Sequence, residues 1–102
     1  MKKFEWNTEK NEANRVKHNL DFEEAKEIFG DKDSIEKVGT YKGEIRLLRI
    51  GKTENKLILL VIYTMREKNV RIISARQVSR KERNDYLAKK LSQKSEDEKD
   101  KN

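Results

Sequence analysis

The chain has 102 residues, 33% hydrophobic and 43% charged, with no cysteine. That length holds one domain with a thin core, and the absent cysteines exclude disulfides, thiolate nucleophiles and thiolate metal sites. The net charge of +6 is uneven: residues 38–91 carry 14 basic and 5 acidic side chains, +9, against −2 for residues 1–37 and −1 for residues 92–102. A field concentrated in this way favours a polyanion as partner, most often nucleic acid.

Phe4-Glu5-Trp6 alternates like a short strand. Asn7 is suited to cap a helix over 8–18, on which Ala13 and Val16 form a narrow apolar face. His18-Asn19 ends it, since Asn tolerates a left-handed turn. Asp21 and Glu24 form a capping box, with Leu20 and Ala25 at the staple positions. Phe22, Ala25, Ile28 and Phe29 follow helical spacing up to Gly30.

Residues 31–43 read as a polar connection in which Ile35 and Val38 add a short edge strand. Three strands are predicted next, Glu44–Ile50, Leu57–Met65 and Val70–Val78, joined by short polar links as an antiparallel meander. The middle one is apolar on both faces and is expected at the centre of the sheet. Strand alternation puts Arg71 on the face of Ile73 and Ala75, and Arg76 on the opposite face with Ile72 and Ser74. Ser79 and Glu82 form another capping box, opening a helix with Tyr86, Leu87 and Leu91. The pattern describes one α+β domain over residues 1–91, with a charged tail over 92–102 that is disordered or an exposed extension of the helix. No apolar run approaches the ~20 residues of a membrane span, and with no apolar stretch behind the lysines of Met1–Phe4 a signal peptide is not expected. A reducing cytoplasm fits the absence of cysteine.

With one histidine, no metal-ligand set is readable, and the scattered glycines form no phosphate loop. What remains is cations and phenols. RNA brings its own nucleophile, the 2′-hydroxyl, so a metal-free ribonuclease needs two proton carriers and cations for the phosphorus intermediate. Arginine suits the last role because its planar fork takes two phosphate oxygens. Arg46, Arg49, Arg66, Arg71 and Arg76 supply such forks, or else pair with nearby glutamates. His18 is either a general acid or base, or a helix-terminal histidine on the dipole. Tyr63, Lys17 and Glu44 are candidates for the second proton carrier, and Trp6 reads as a core anchor. On charge alone, a nuclease, a non-catalytic nucleic-acid binder and a module docking an acidic protein all stay open.

Phe4-Glu5-Trp6-Asn7, Lys10, Asn14, Lys17-His18 and Ala25-Lys26-Glu27-Ile28-Phe29 resemble the opening of the BrnT toxins. The likeness continues through Glu44-Ile45-Arg46, Gly51, Tyr63-Thr64, Arg66, Arg71-Ile72-Ile73-Ser74-Ala75-Arg76, Glu82 and Tyr86. The family's Asp after the tryptophan is Asn7 here, and its Gly after the histidine is Asn19. The resemblance implies a RelE-like fold and a metal-independent endoribonuclease toxin that stops growth by cutting RNA, with no cofactor. It marks His18, Glu44, Arg46, Tyr63 and Arg76 as catalytic candidates; Lys17, Arg49, Arg66 and Arg71, from the supply of cations, are the expected RNA contacts. It also implies a ribbon-helix-helix antitoxin of the BrnA kind, a toxin–antitoxin hetero-oligomer, and contact with operator DNA only through that complex.

Overall fold

The structure is a computed structural model that describes residues 3–99. The elements run β1 (Phe4–Glu5), α1 (Thr8–His18), α2 (Phe22–Ala25) continuing as a 3-10 turn over Lys26–Gly30, β2 (Ile35–Tyr41), β3 (Glu44–Lys52), β4 (Ile58–Arg66), β5 (Asn69–Gln77) and α3 (Arg80–Lys99). One five-stranded sheet has the order β1-β5-β4-β3-β2. β2 to β5 form an antiparallel meander, and β1 adds in parallel at Phe4–Val70 and Glu5–Arg71.

The expected caps are in place. The Asn7 side chain accepts the Lys10 N–H, and Asn19 takes the left-handed conformation at φ 57° that lets its own N–H close on Arg15 O. Ser79 and Glu82 exchange side chain and backbone bonds at the head of α3. Asp21 caps α2 through the Glu23 N–H at 2.8 Å, but among the described residues Glu24 makes no return bond to the Asp21 N–H, so only half of that expected box forms. The expected edge strand is longer than its two apolar residues suggested, seven residues in all, because β2 is held by its whole backbone ladder with β3. α3 continues past Leu91 to Lys99, a stretch with no glycine or proline to stop it; residues 100–102 lie outside the described residues.

β4 is central and buried from Leu59 to Tyr63. Alternation sends Leu59, Val61 and Tyr63 to one face, where they pack with Phe22, Ala25, Ile28, Val70, Ile72 and Ala75. Leu60 goes to the other face and packs with Ile50 and with Tyr86 of α3. Phe29 lies edge-on to Phe4 and Tyr63, and Trp6 edge-on to Phe22, which makes Trp6 a partly buried anchor of the first core. Among the described residues no helix is long and apolar enough to cross a membrane.

Two expectations are corrected. The apolar face of α1 does not exist: Val16 is 87% exposed and Ala13 is exposed, while Asn14 is buried. α1 lies against β5 through polar groups, with Asn14 donating to Leu20 O and accepting from Ala75 N. Strand parity in β5 also fails. Ile62 pairs with Ser74 but Tyr63 pairs with Ile72, so Ile73 is an extra, bulged residue. Past the bulge the alternation inverts, so Arg71, Ser74 and Arg76 share one face while Val70, Ile72 and Ala75 share the core face.

Candidate active site: a basic cleft beside the bulge

A cleft of about 410 Å³ opens where α1, the tip of the β2–β3 hairpin and the β5 bulge meet. α1 contributes Lys10, Asn14, Lys17 and His18. Its caps decide this, because the left-handed turn at Asn19 ends the helix at His18 and leaves that ring at the cleft rim. The hairpin contributes Tyr41, Lys42, Glu44 and Arg46. Its two-residue turn has positive φ at Lys42 (51°) and Gly43 (81°), a conformation glycine takes freely and lysine takes at some cost. β3 pairs with β4 only from Leu47 onward, so the hairpin tip projects beyond the sheet's central ladder and can reach α1. The bulge turns both Ile73 and Ser74 toward the cleft, as bulges beside functional sites do.

Inside the cleft, the Arg46 guanidinium is paired with Glu44 and donates to Ile45 O at 3.3 Å. The Arg46 Nε–H is buried with no partner among the described residues. A buried donor without an acceptor is unfavourable by about 1–3 kcal/mol; the Arg49 Nε–H, outside the cleft, is buried and unpartnered in the same way among the described residues. Lys10, Lys17 and Lys42 add three cations against the single carboxylate of Glu44. The set therefore offers anion binding, one imidazole and one carboxylate within a single concavity. Among the described residues no group of three or more acidic, histidine or cysteine side chains is placed to hold a metal ion.

Of the nine side chains singled out in the sequence, the cleft gathers His18, Glu44, Arg46 and Lys17. Tyr63 sits elsewhere: its ring is 2% exposed and its hydroxyl donates to Glu36 at 3.0 Å. Burial pushes that hydroxyl above its ordinary range. Arg76 closes a two-bond fork on Glu82 at 2.8 and 2.9 Å. Arg49 packs over Phe29 and bonds Ser34 and Glu36 on the α2 face of the sheet. Arg71 pairs with Glu5 at 3.0 Å, tying β1 to β5. Arg66 is exposed at the end of β4.

Tyr41, Lys42 and Ser74 were not visible as site residues in the sequence. The hairpin signal was present in the Lys42-Gly43 pair between alternating residues. The bulge that places Ser74 leaves no mark in the residue pattern.

Fold and cleft together define a small α+β protein of RelE-like arrangement with a basic, histidine-bearing concavity beside its sheet. A family model described as the ribonuclease toxin, BrnT, of type II toxin–antitoxin systems matches residues 6–82, and the chain belongs to that family. It is also similar to the crystal structure of the Brucella abortus ribonuclease toxin BrnT, with a TM-score of 0.59 and 28% identity over 78% of this chain and 100% of that one. A search of the curated proteins finds no match. Membership of a type II family implies a protein antitoxin as partner.

Proposed function

We propose that the cleft is the active site of a metal-independent endoribonuclease toxin that stops translation and growth by cutting RNA. The observation that carries this reading is the convergence of His18, Glu44, Arg46 and Lys17, drawn from α1 and a distant hairpin, on one basic cleft.

An incoming phosphodiester competes with Glu44 for the Arg46 guanidinium. That releases Glu44 from its ion pair. The freed carboxylate accepts the proton of the RNA 2′-hydroxyl, whose oxygen attacks the adjacent phosphorus. Arg46, with Lys17 and Lys42 beside it, stabilises the charge that builds on the phosphoryl oxygens. His18, in its protonated form, gives a proton to the departing 5′-oxygen. The products are a 2′,3′-cyclic phosphate and a 5′-hydroxyl. Tyr63 and Arg76, outside the cleft, have structural roles in this scheme.

The partner is a BrnA-like ribbon-helix-helix antitoxin in a hetero-oligomer, and operator DNA is reached only through that complex. Both proteins work in the cytoplasm.

Purified protein incubated with mixed RNA in EDTA tests the reading. Cleavage is expected to persist. Cleavage abolished by EDTA excludes the metal-free scheme, and no cleavage by folded protein at any salt leaves a non-catalytic RNA binder. His18→Ala, Glu44→Gln and Arg46→Ala each lose cleavage while staying folded; full activity in all three means the chemistry lies elsewhere.

A further inference from the structure

A second concavity, of about 250 Å³, lies where the end of β3, the start of β4, the end of β5 and the head of α3 meet. Its charged lining is Lys52, Lys56, Arg80 and Arg83, with no carboxylate among the lining residues. None of these four cations forms an ion pair among the described residues, although most other arginines do. Lys90, which lies outside the concavity and hydrogen-bonds Lys52, holds the Lys52 ammonium below the ordinary lysine range, with a smaller contribution from Lys56. Asp31 is the one carboxylate that acts on this Lys52 ammonium, from outside the lining, so the concavity keeps an excess of cations that an anionic group would relieve.

The place of this concavity relative to the first narrows what that anion is. β5 runs between them. Ser74 lines the first cleft and Val78, just past the strand, lines the second. The bulge puts Ser74 and Arg76 on one face, and Val78 packs against the α3 core on that same face. At ~3.4 Å per strand residue the separation from Ser74 to Val78 is about 14 Å. A stacked nucleic-acid strand advances ~3.4 Å per nucleotide, so these two residues, one from the lining of each cleft, are about four nucleotides apart. Arg76 stands between them with its side chain 37% exposed.

We infer that the concavity formed by Lys52, Lys56, Arg80 and Arg83 is a second phosphate subsite, which holds the backbone of the same RNA strand a few nucleotides from the bond in the first cleft. This rests on the reading of the first cleft as an RNA site. It makes the protein a reader of strand length: short oligonucleotides fill one cleft, longer ones fill both. No aromatic side chain lines the second cleft, so it grips phosphates without preference for base.

The test uses the full chain and its Arg80→Gln/Arg83→Gln variant, with Lys52→Gln as an independent second variant. Arg80 and Arg83 are exposed, so thermal unfolding of the double variant should match the parent. Binding of non-cleavable 2′-O-methyl oligonucleotides is followed by fluorescence anisotropy, with a trinucleotide and a decanucleotide as probes. For the decanucleotide the double variant should bind roughly tenfold more weakly, with the salt slope of log K shallower by about 1.4 for two lost contacts to a single strand. Trinucleotide affinity should not change. Unchanged decanucleotide binding, or equal losses at both lengths, overturns the subsite. Cleavage of an unmodified decanucleotide by the parent protein is scored in parallel. A length-dependent loss of binding without any cleavage keeps the subsite and removes the nuclease reading; cleavage with unaltered binding does the reverse.

Discussion

The side-chain oxygen of Asn14 accepts the backbone N–H of Ala75 at 3.1 Å, at a point where β5 has a strand, β4, on one side only. β1 pairs with β5 only at Val70 and Arg71, so the outer edge beyond is open. Asn14 takes the place of the next strand there, and its Nδ2 donates to Leu20 O at 3.0 Å, fixing the turn after α1. Asn14 is 6% exposed. Asn14→Leu leaves both a buried N–H and a buried carbonyl unpaired, and the expected loss is about 2–3 kcal/mol. Urea denaturation measures it. Amide hydrogen exchange at Ala75 should speed up selectively, and retained protection there would show that the Asn14 bond does not hold the edge.

The same contact explains which features were readable in advance. Helix caps are local chemistry: Asn7, Asn19 and the Ser79–Glu82 box act over a few residues, and all were legible. The apolar run of β4 reported its own burial. The inner face of α1 was not legible, because its buried residue is an asparagine whose partners lie 6 and 61 positions away. The Ile73 bulge was not legible either, since one extra residue in a ladder is set by pairing with β4 and inverts every later side chain. Half of the cleft shared this fate. Lys17 and His18 were marked by their place at a helix end, whereas Tyr41 and Ser74 enter through a projecting hairpin and a bulge.

Glu82 ties β5 to α3 and gives the fold an acid-sensitive point. The Arg76 fork, with the Ser79 N–H, holds its carboxyl down to about 2, although burial opposes this. A carboxyl whose folded value lies below its unfolded value of 4.5 adds stability that is complete above pH 4.5. That stability disappears as pH falls from 4.5 toward 2. Glu82→Gln should therefore lose roughly 1–2 kcal/mol at pH 7, with half-exposure of the arginine limiting the effect. The gap between parent and variant should close as the pH approaches 2. Urea midpoints across that range check the sign; a gap that persists at acid pH would mean the interaction is not carried by the Glu82 charge.

Tyr86 anchors α3 from the other side. Its ring is fully buried, and its hydroxyl donates to Asp31 Oδ2 at 2.6 Å. Burial and the neighbouring carboxylate push the hydroxyl above the ordinary tyrosine range. Burial alone would raise Asp31, but the Tyr86 hydroxyl and the N–H groups of Asp33 and Lys52 hold it below the usual carboxylate range. Tyr86→Phe keeps the packing and deletes one bond to a charged acceptor, so a loss of about 2 kcal/mol is expected. Asp31 should titrate at higher pH in the variant, which carboxyl chemical shifts report. An unmoved Asp31 with intact stability would show that the hydroxyl contributes nothing to docking α3.

Arg46→Lys separates charge from geometry in the cleft. The substitution keeps a cation on β3 but removes the fork and the Nε–H that has no partner among the described residues. If Arg46 only attracts RNA, the variant binds and cleaves like the parent. If the fork spans two phosphoryl oxygens as charge develops on them, binding changes little and the chemical step slows by roughly 10²-fold, the scale of removing one transition-state donor. Single-turnover cleavage at saturating protein gives the rate of the step apart from binding. Arg49→Lys is the control, since Arg49 bonds Ser34 on the α2 face of the sheet and does not line the cleft. A matching slowdown in both variants would trace the effect to the sheet and not to the cleft, whereas a loss confined to Arg46→Lys places the guanidinium at the reacting phosphate.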